Sequence, residues 1–180
     1  DAFQRVLTRF VDEDGRVDYQ QLHNSRADLD TYVGLISRVG PKTHPDLFKT
    51  REDALAYYIN AYNAYVLWHV VELGPDIESV GAHQLAQMYF FILRFFRLDG
   101  ELTNLWMLEN DTIRPEFSEP RIHFALNCAS LGCPKLPQTI FRGPELETQL
   151  EQETTRFLNE KRNLHVDGNR VILSQVFEWF

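Results

Sequence analysis

The second half of the chain contains a short segment in which side chains suited to covalent chemistry are concentrated. His123, Asn127, Cys128 and Cys133 lie at the end of a predicted strand and in the loop that follows it. A thiolate is a strong nucleophile, and a neighbouring imidazole is the base that most often generates one. Cys128 is therefore a candidate nucleophile, with His123 as its base. The backbone amides of residues 129–132 would then be available to stabilise an oxyanion.

The same residues also fit interpretations without catalysis. Cys128 and Cys133 can form a disulfide if their Cα atoms lie within about 7 Å of each other, and free cysteines are often buried as small apolar side chains. On a regular strand His123 and Asn127 share one face and Cys128 points to the other, so imidazole and thiol meet only if the strand ends before Cys128. Three ligands without well-spaced carboxylates do not predict a metal site, and we expect no cofactor.

A carboxylate that could complete this site lies further back in the chain. Glu109 would orient the imidazole of His123, as the third member of a catalytic triad does. Arg114 follows directly after the predicted helix, where its guanidinium would form a salt bridge or hold a substrate carboxylate. The alternative for Glu109, as for Asp111, is a surface charge, which is the common fate of such side chains on a short helix.

Two asparagines interrupt the most apolar helix predicted in the chain. Asn60 and Asn63 are three residues apart and share a helix face. Buried amides need hydrogen-bond partners, so the pair either braces neighbouring loop backbones or takes part in substrate binding and catalysis. The candidate substrate-binding residues are therefore Asn60, Tyr62, Asn63, Arg114, Asn127 and Cys133.

The elements that must position these residues follow from periodicity and turn signals. Apolar spacing predicts helices at the N-terminus, over Asp28–Val39, Ala54–Leu73, Leu105–Ile113 and Pro144–Lys161, and a short one over Gln175–Phe180. Two hairpins are predicted, one from Phe90 to Thr103 around Asp99-Gly100 and one from Leu164 to Leu173 around Gly168. Residues 121–127 are predicted to form a buried strand. These elements predict a mainly helical α+β fold around a buried central helix, with short antiparallel strands in the second half.

The length of the chain predicts its number of domains, and its net charge argues against some classes of binding partner. The chain has 180 residues, which we predict to form a single domain over 1–180. Its net charge of −8 argues against nucleic acids and anionic membrane surfaces as partners. The longest apolar run, Ala54–Val71, contains two asparagines and a histidine, so we expect a buried helix and not a membrane span. Because the chain starts at Asp1 without an initiator methionine, we expect either a mature exported protein or a shortened fragment.

Several segments together resemble the domain of unknown function 547 family. They are Gly15–Tyr19, Tyr58–Ala64, Leu108–Glu109 with Ile113–Arg114, Arg121–Pro134 and Leu173–Phe180. Bacterial members usually look exported, so the resemblance implies a periplasmic or secreted protein. It also implies a thiol site similar to those of papain or transglutaminases, in a circularly permuted layout, with Cys128 as the functional sulfur. Many members have a histidine where this chain has Asn110, which leaves His123 as the nearby imidazole.

These observations support two functional hypotheses. The first is a cysteine-dependent hydrolase or acyl transferase that acts on amides or thioesters, with Cys128, His123 and Glu109 as catalytic residues. The second is a non-catalytic periplasmic module that holds a peptide or a small thiol such as glutathione, which an accessible cysteine could capture as a mixed disulfide. A structural domain with inert cysteines is the third possibility.

Overall fold

A computed structural model describes residues 1–74, 84–130 and 132–179 of the chain. Its helices are α1 (Ala2–Phe10), α2 (Tyr19–Asn24), α3 (Ala27–Ile36), α4 (Arg51–Leu73), α5 (Gln84–Met88), α6 (Leu105–Met107), α7 (Arg114–Phe117), α8 (Leu146–Leu158) and α9 (Val176–Trp179). Short 3₁₀-helices cover Pro45–Leu47, Pro120–Phe124 and Gly143–Glu145, and π-helical turns cover Tyr89–Leu93 and Leu108–Ile113. The strands are β1 (Phe96–Leu98), β2 (Glu101–Thr103), β3 (Leu164–Asp167) and β4 (Arg170–Leu173).

Helix α4 forms the centre of the fold, as its apolar composition predicts. It begins with a capping box, in which the Asp53 amide donates to the Thr50 hydroxyl and the Thr50 amide donates to the Asp53 carboxylate. It ends at Gly74, whose φ of 96° favours glycine. Nearly all of its side chains between Leu55 and Val71 are buried. A helix buried on all sides can bring polar side chains into contact with several neighbouring segments at once.

The N-terminal helices pack against one side of α4. In α1 the residues Phe3, Val6, Leu7 and Phe10 are buried at the spacing of a single helix face. Helix α3 lies between α1 and α4, and these helices share an apolar cluster with Leu136 and Ile140 from the second half of the chain. The first and last thirds of the chain therefore meet next to the central helix.

The two predicted hairpins are present, although the first one begins later than predicted. Strands β1 and β2 pair in antiparallel register, with Phe96 opposite Thr103, and the turn residues Asp99 and Gly100 both have positive φ, as a primed turn requires. Residues 89–93 are π-helical, so the prediction that the strand starts at Phe90 is wrong. This apolar run also has helical spacing, and a short apolar run alone cannot distinguish strand from helix.

The helix predicted over Leu105–Ile113 continues beyond its predicted end. The backbone passes from α6 into the π-helical turn and then into α7, which has Pro115 in its first turn. Proline is tolerated there because the first helical N–H groups have no intrahelical partner. The terminal helix ends at Trp179, and Phe180 lies outside the described residues.

The strand predicted over residues 121–127 is wrong. Residues 120–124 form a 3₁₀-helix that is capped by Glu119, whose carboxylate accepts the Arg121 backbone amide at 3.0 Å. The backbone groups that follow are bonded by the side chain of Asn63 and not by a neighbouring strand. A single polar side chain thus replaces the strand partner that the apolar pattern suggested.

The mainly helical α+β prediction is confirmed, with the buried helix at its centre and two small antiparallel hairpins in the second half. Across the three described stretches of chain, every helix is too short or too polar to cross a lipid bilayer.

Candidate functional site

The amide of Asn63 holds the segment that leads into the cysteine loop. Its nitrogen donates to the Ala125 carbonyl at 2.9 Å, and its oxygen accepts the Asn127 backbone amide at 2.9 Å. Asn63 is 2% exposed, so these bonds lie in the interior of the protein. Both ends of this amide are therefore bonded to backbone, which is the arrangement of a structural brace.

Asn60 makes the same pair of contacts one helical turn earlier. It donates to the Phe141 carbonyl at 2.8 Å and accepts the Phe141 amide at 2.9 Å. The two asparagines of α4 thus hold two segments that flank the cysteine loop in the sequence. The sequence predicted both asparagines as candidate substrate-binding residues. In the structure their side-chain amides are bonded to backbone groups.

Cys128 and Cys133 form a disulfide, with their Cα atoms 6.0 Å apart. This is one of the alternatives left open by the sequence. In this oxidised form neither sulfur is a thiolate, so the nucleophile assigned to Cys128 exists only after reduction.

Asn127 shapes the loop that the disulfide closes. Its side-chain oxygen accepts the Ala129 amide at 2.9 Å, and its nitrogen donates to the Pro134 carbonyl at 2.8 Å. Ala129 has a φ of 56°, in the left-handed region that non-glycine residues seldom adopt. The Ala129 amide, one of the predicted oxyanion donors, is therefore already bonded, and Leu131 of the same loop lies outside the described residues. Backbone strain of this kind is concentrated at functional sites.

A second group of predicted residues forms a half-buried cluster around Glu109. Its carboxylate accepts a hydrogen bond from the hydroxyl of Tyr62, and Arg114 lies close enough to interact with it electrostatically. Burial raises the pKa of Glu109, and the Tyr62 hydroxyl and Arg114 oppose this increase only in part. Glu109 lies in the π-helical turn 108–113, a distortion that is frequent at functional sites.

His123 is adjacent to the same arginine. Burial, together with the positive charge of Arg114, lowers the pKa of His123 to about 4. The imidazole is therefore neutral at physiological pH and is a weaker base than a free imidazole. We call Tyr62, Glu109, Arg114 and His123 together the Glu109 cluster.

A cavity of about 590 Å³ opens beside the cysteine loop. Of the nine predicted site residues, all of which are described, two line this cavity, Asn127 and Cys133. The cavity is also lined by four basic side chains and two acidic ones, which are Arg16, Lys135, Lys161, Arg162, Asp14 and Glu160. We call it the cationic cavity, because it has an excess of positive charge in a chain with a net charge of −8.

The four cations of this cavity differ in their partners. Lys135 lies 3.2 Å from Glu160 and 3.4 Å from Asp14, and Arg162 lies 2.5 Å from Glu160. The side chains of Arg16 and Lys161 are exposed, and neither has an ion pair or hydrogen bond with a described residue. These two cations are available to an anionic ligand.

A family model described as a protein of unknown function, DUF547, matches residues 46–158. The chain belongs to the DUF547 family. No curated protein and no solved structure matches it. The match covers the braces of α4, the Glu109 cluster and the cysteine loop of this DUF547 protein. Two cavity-lining stretches, residues 14–19 and 160–162, lie outside it.

Sequence reasoning missed the cations of the cavity. Arg16 and Lys161 are separated by most of the chain and belong to no shared pattern. Gly15 allows the N-terminal turn to approach closely, because a Cβ there would lie 2.6 Å from the Cβ of Lys135. In the sequence, Gly15 followed by Arg16 was the one indication that a cation lies at this cavity.

Proposed function

We propose that this DUF547 protein binds a small anionic thiol of the glutathione class in the cationic cavity and exchanges it with the Cys128–Cys133 disulfide. One observation carries the proposal: Cys133 lines the same cavity as Arg16 and Lys161, two cations whose side chains have no partner among the described residues. A disulfide-bonded cysteine and two cations are thus present at one cavity.

The charges around the cavity match such a ligand. Glutathione has two carboxylates, one ammonium group and one thiol. Arg16 and Lys161 offer partners to the carboxylates, and Asp14 and Glu160 offer partners to the ammonium group. A volume of about 590 Å³ lies within the range of small-molecule sites. Neighbouring cations also favour the thiolate form of the ligand, which is the reactive one.

The exchange step needs no additional oxidant or reductant. The ligand thiolate attacks Sγ of Cys133 and forms a new S–S bond. The Cys128–Cys133 bond breaks, and its electron pair leaves on Sγ of Cys128 as a thiolate. The products are a mixed disulfide at Cys133 and a free thiol at Cys128. This chemistry belongs to an oxidising compartment, so the proposal includes the periplasmic or secreted location.

The regiochemistry of the mixed disulfide tests this proposal. Oxidised protein is incubated with reduced glutathione, quenched with acid, alkylated and mapped by peptide mass spectrometry. We expect glutathione on Cys133 and the alkyl group on Cys128. Replacing Arg16 and Lys161 by glutamine should slow the exchange, whereas the matched pair Arg38→Gln and Lys49→Gln, at exposed positions outside the cavity, should leave its rate unchanged. Adducts on both sulfurs in equal amounts, at a rate independent of Arg16 and Lys161, would refute the proposal.

The hydrolase hypothesis assigns the base to His123, which burial leaves neutral near pH 7 but less basic than a free imidazole. It requires reduced Cys128. Reduced protein is screened with amide and thioester substrates beside Cys128→Ala and Cys133→Ala. Turnover that is lost in the first variant and retained in the second would support Cys128 as nucleophile, and identical turnover in both would eliminate it.

A further inference from the structure

The segment after residue 83 exposes an apolar helix face. Leu85, Met88, Tyr89 and Ile92 follow each other at the i, i+3, i+4, i+7 spacing along α5 and the π-helical turn, and they are between 39% and 68% exposed. Such spacing normally marks the face that packs on the core. Here Phe90 faces the core, at 1% exposure, and the four other side chains face solvent.

The exposed face continues onto the first hairpin and the helix after it. Leu93 and Phe95 are each 53% exposed, and Leu102 is 60% exposed opposite Arg97 on the outer side of the β1–β2 pair. Trp106 in α6 is 46% exposed. The side chain of Asn104 donates to the Ile92 carbonyl at 2.9 Å and thereby ties the start of α6 to the π-helical turn. We call this continuous surface the apolar face; it comprises Leu85, Met88, Tyr89, Ile92, Leu93, Phe95, Leu102 and Trp106.

The charge of this segment is opposite to that of the whole chain. Residues 84–98 contain two arginines and no acidic residue, although the chain has a net charge of −8. Arg94 lies over the ring of Tyr89, with its guanidinium carbon 5.8 Å from the ring centre. Arg97 is exposed on the outer side of the hairpin, among the apolar side chains.

We propose that the apolar face binds to the surface of an anionic lipid bilayer. Leucine, isoleucine and phenylalanine side chains would enter the boundary between headgroups and acyl chains, as interfacial helices do. Tyr89 and Trp106 have the amphipathic rings that favour the headgroup region. Arg94 and Arg97 would pair with lipid phosphates, and residues 84–98 place no acidic side chain beside them. Glu101, next to Leu102, is ion-paired with Lys42 at 2.7 Å. Binding to a protein partner would not require a segment without acidic residues.

The charge near the apolar face, and not the net charge of the chain, determines its attraction to an anionic bilayer, because electrostatic effects act over a short range. The Debye length is about 10 Å at moderate ionic strength, so lipid phosphates interact mainly with the nearest side chains. The overall charge argued against anionic membranes, but it averages over surfaces that face away from the bilayer. The proposal concerns binding on the surface and is independent of the thiol site.

Vesicle flotation of the full chain tests the proposal. The probes are vesicles of phosphatidylcholine alone and vesicles with one-third phosphatidylglycerol. We expect binding to the anionic vesicles and a loss of about ten-fold or more for the double variant Leu93→Gln and Phe95→Gln, which removes exposed apolar area. The control is Val166→Gln with Val171→Gln, a cross-strand pair on the β3–β4 hairpin that is 68% and 63% exposed and should leave binding unchanged.

The arginines provide a second, independent measurement. Arg94→Gln and Arg97→Gln should each lower partitioning onto the anionic vesicles by about five-fold and leave the weak partitioning onto phosphatidylcholine unchanged. The proposal is overturned if the chain does not float with anionic vesicles, or if the variants of the apolar face and of the hairpin behave alike. It is also overturned if light scattering shows a dimer that Leu93→Gln with Phe95→Gln dissociates, because a second copy then covers this face.

Discussion

The amides of the central helix and the cations of the cavity differ in what they are bonded to. Asn60 and Asn63 are buried, and each both donates to and accepts from backbone. The side chains of Arg16 and Lys161 are exposed and have no partner among the described residues. Polar side chains inside an apolar helix were candidate site residues in the sequence. In the structure, however, their hydrogen bonds are made to the backbone of the protein itself. In the proposed function, the groups that bind the ligand lie at the surface of the cavity.

The largest effect is expected from removing a brace. Asn63→Ala leaves the Ala125 carbonyl and the Asn127 amide buried without partners, and each such group costs roughly 1–3 kcal/mol. We expect the free energy of unfolding in urea to fall by about 4 kcal/mol. Gln20→Ala removes an exposed amide from α2 and should change the free energy of unfolding by less than about 0.5 kcal/mol. Equal, small effects of the two substitutions would refute the bracing role.

A second prediction concerns His69, a buried polar side chain of α4 without a brace function. It is 1% exposed among Tyr65, Trp68, Phe90 and Phe96, and neither ring nitrogen has a hydrogen-bond partner in the described parts of the chain. Burial, with a smaller contribution from Arg94, lowers its pKa to about 3. The unfolded chain therefore binds a proton below about pH 6.5 that the folded chain does not bind.

This difference makes stability fall as the pH falls through that range. Between pH 6.5 and pH 4.5 the loss due to His69 should amount to about 2–3 kcal/mol. Unfolding measured across this range should show a flatter profile of stability against pH for His69→Phe than for the wild type. An unchanged slope in His69→Phe would show that the ring is not the group that titrates.

The disulfide is expected to contribute less than the brace. Its loop is short, so its loss should lower the free energy of unfolding by about 2 kcal/mol. The double variant Cys128→Ala with Cys133→Ala should show this decrease under oxidising conditions and should not respond to reductant. Wild-type protein should reach the same value only after reduction. If reduction leaves the wild-type unfolding curve in place, the bond is not formed in solution.

The smallest effect on stability is expected at the cavity. Arg16→Gln and Lys161→Gln remove exposed charges without partners among the described residues, so each should change the free energy of unfolding by less than about 0.5 kcal/mol. Urea unfolding of these variants beside Asn63→Ala compares the two regions directly. A loss above about 1 kcal/mol would mean that these cations support the fold and are not free for a ligand.

Much of the fold follows from local patterns in the sequence. The spacing of Phe3, Val6, Leu7 and Phe10 predicts α1, and Asp99-Gly100 predicts the primed turn of the first hairpin. Residues 121–127 could not be predicted in the same way, because their backbone partner is Asn63, a side chain more than sixty positions away in the sequence. Local apolar spacing contains no information about such a contact.

The candidate site shows the same limit. The bracing role of the asparagines was one of two alternatives, because a buried amide must form hydrogen bonds. The sequence did not indicate which backbone groups would be the partners. Glu109 and His123 each interact electrostatically with Arg114, and their grouping with Cys128 as catalytic residues stays a prediction. Arg16 and Lys161 come together only when both ends of the chain pack beside the cysteine loop, and no spacing rule connects them.

The central claim is that the cationic cavity, and not the polar residues of the helix, binds the ligand. Isothermal titration of the oxidised protein with S-methylglutathione, which cannot exchange, tests this claim most directly. We predict saturable binding that Arg16→Gln with Lys161→Gln weakens by at least about ten-fold, since each charged contact contributes roughly 1.5–3 kcal/mol, while Arg38→Gln with Lys49→Gln leaves the affinity unchanged. The account is contradicted if no heat of binding is found, or if both double variants bind as tightly as the wild type.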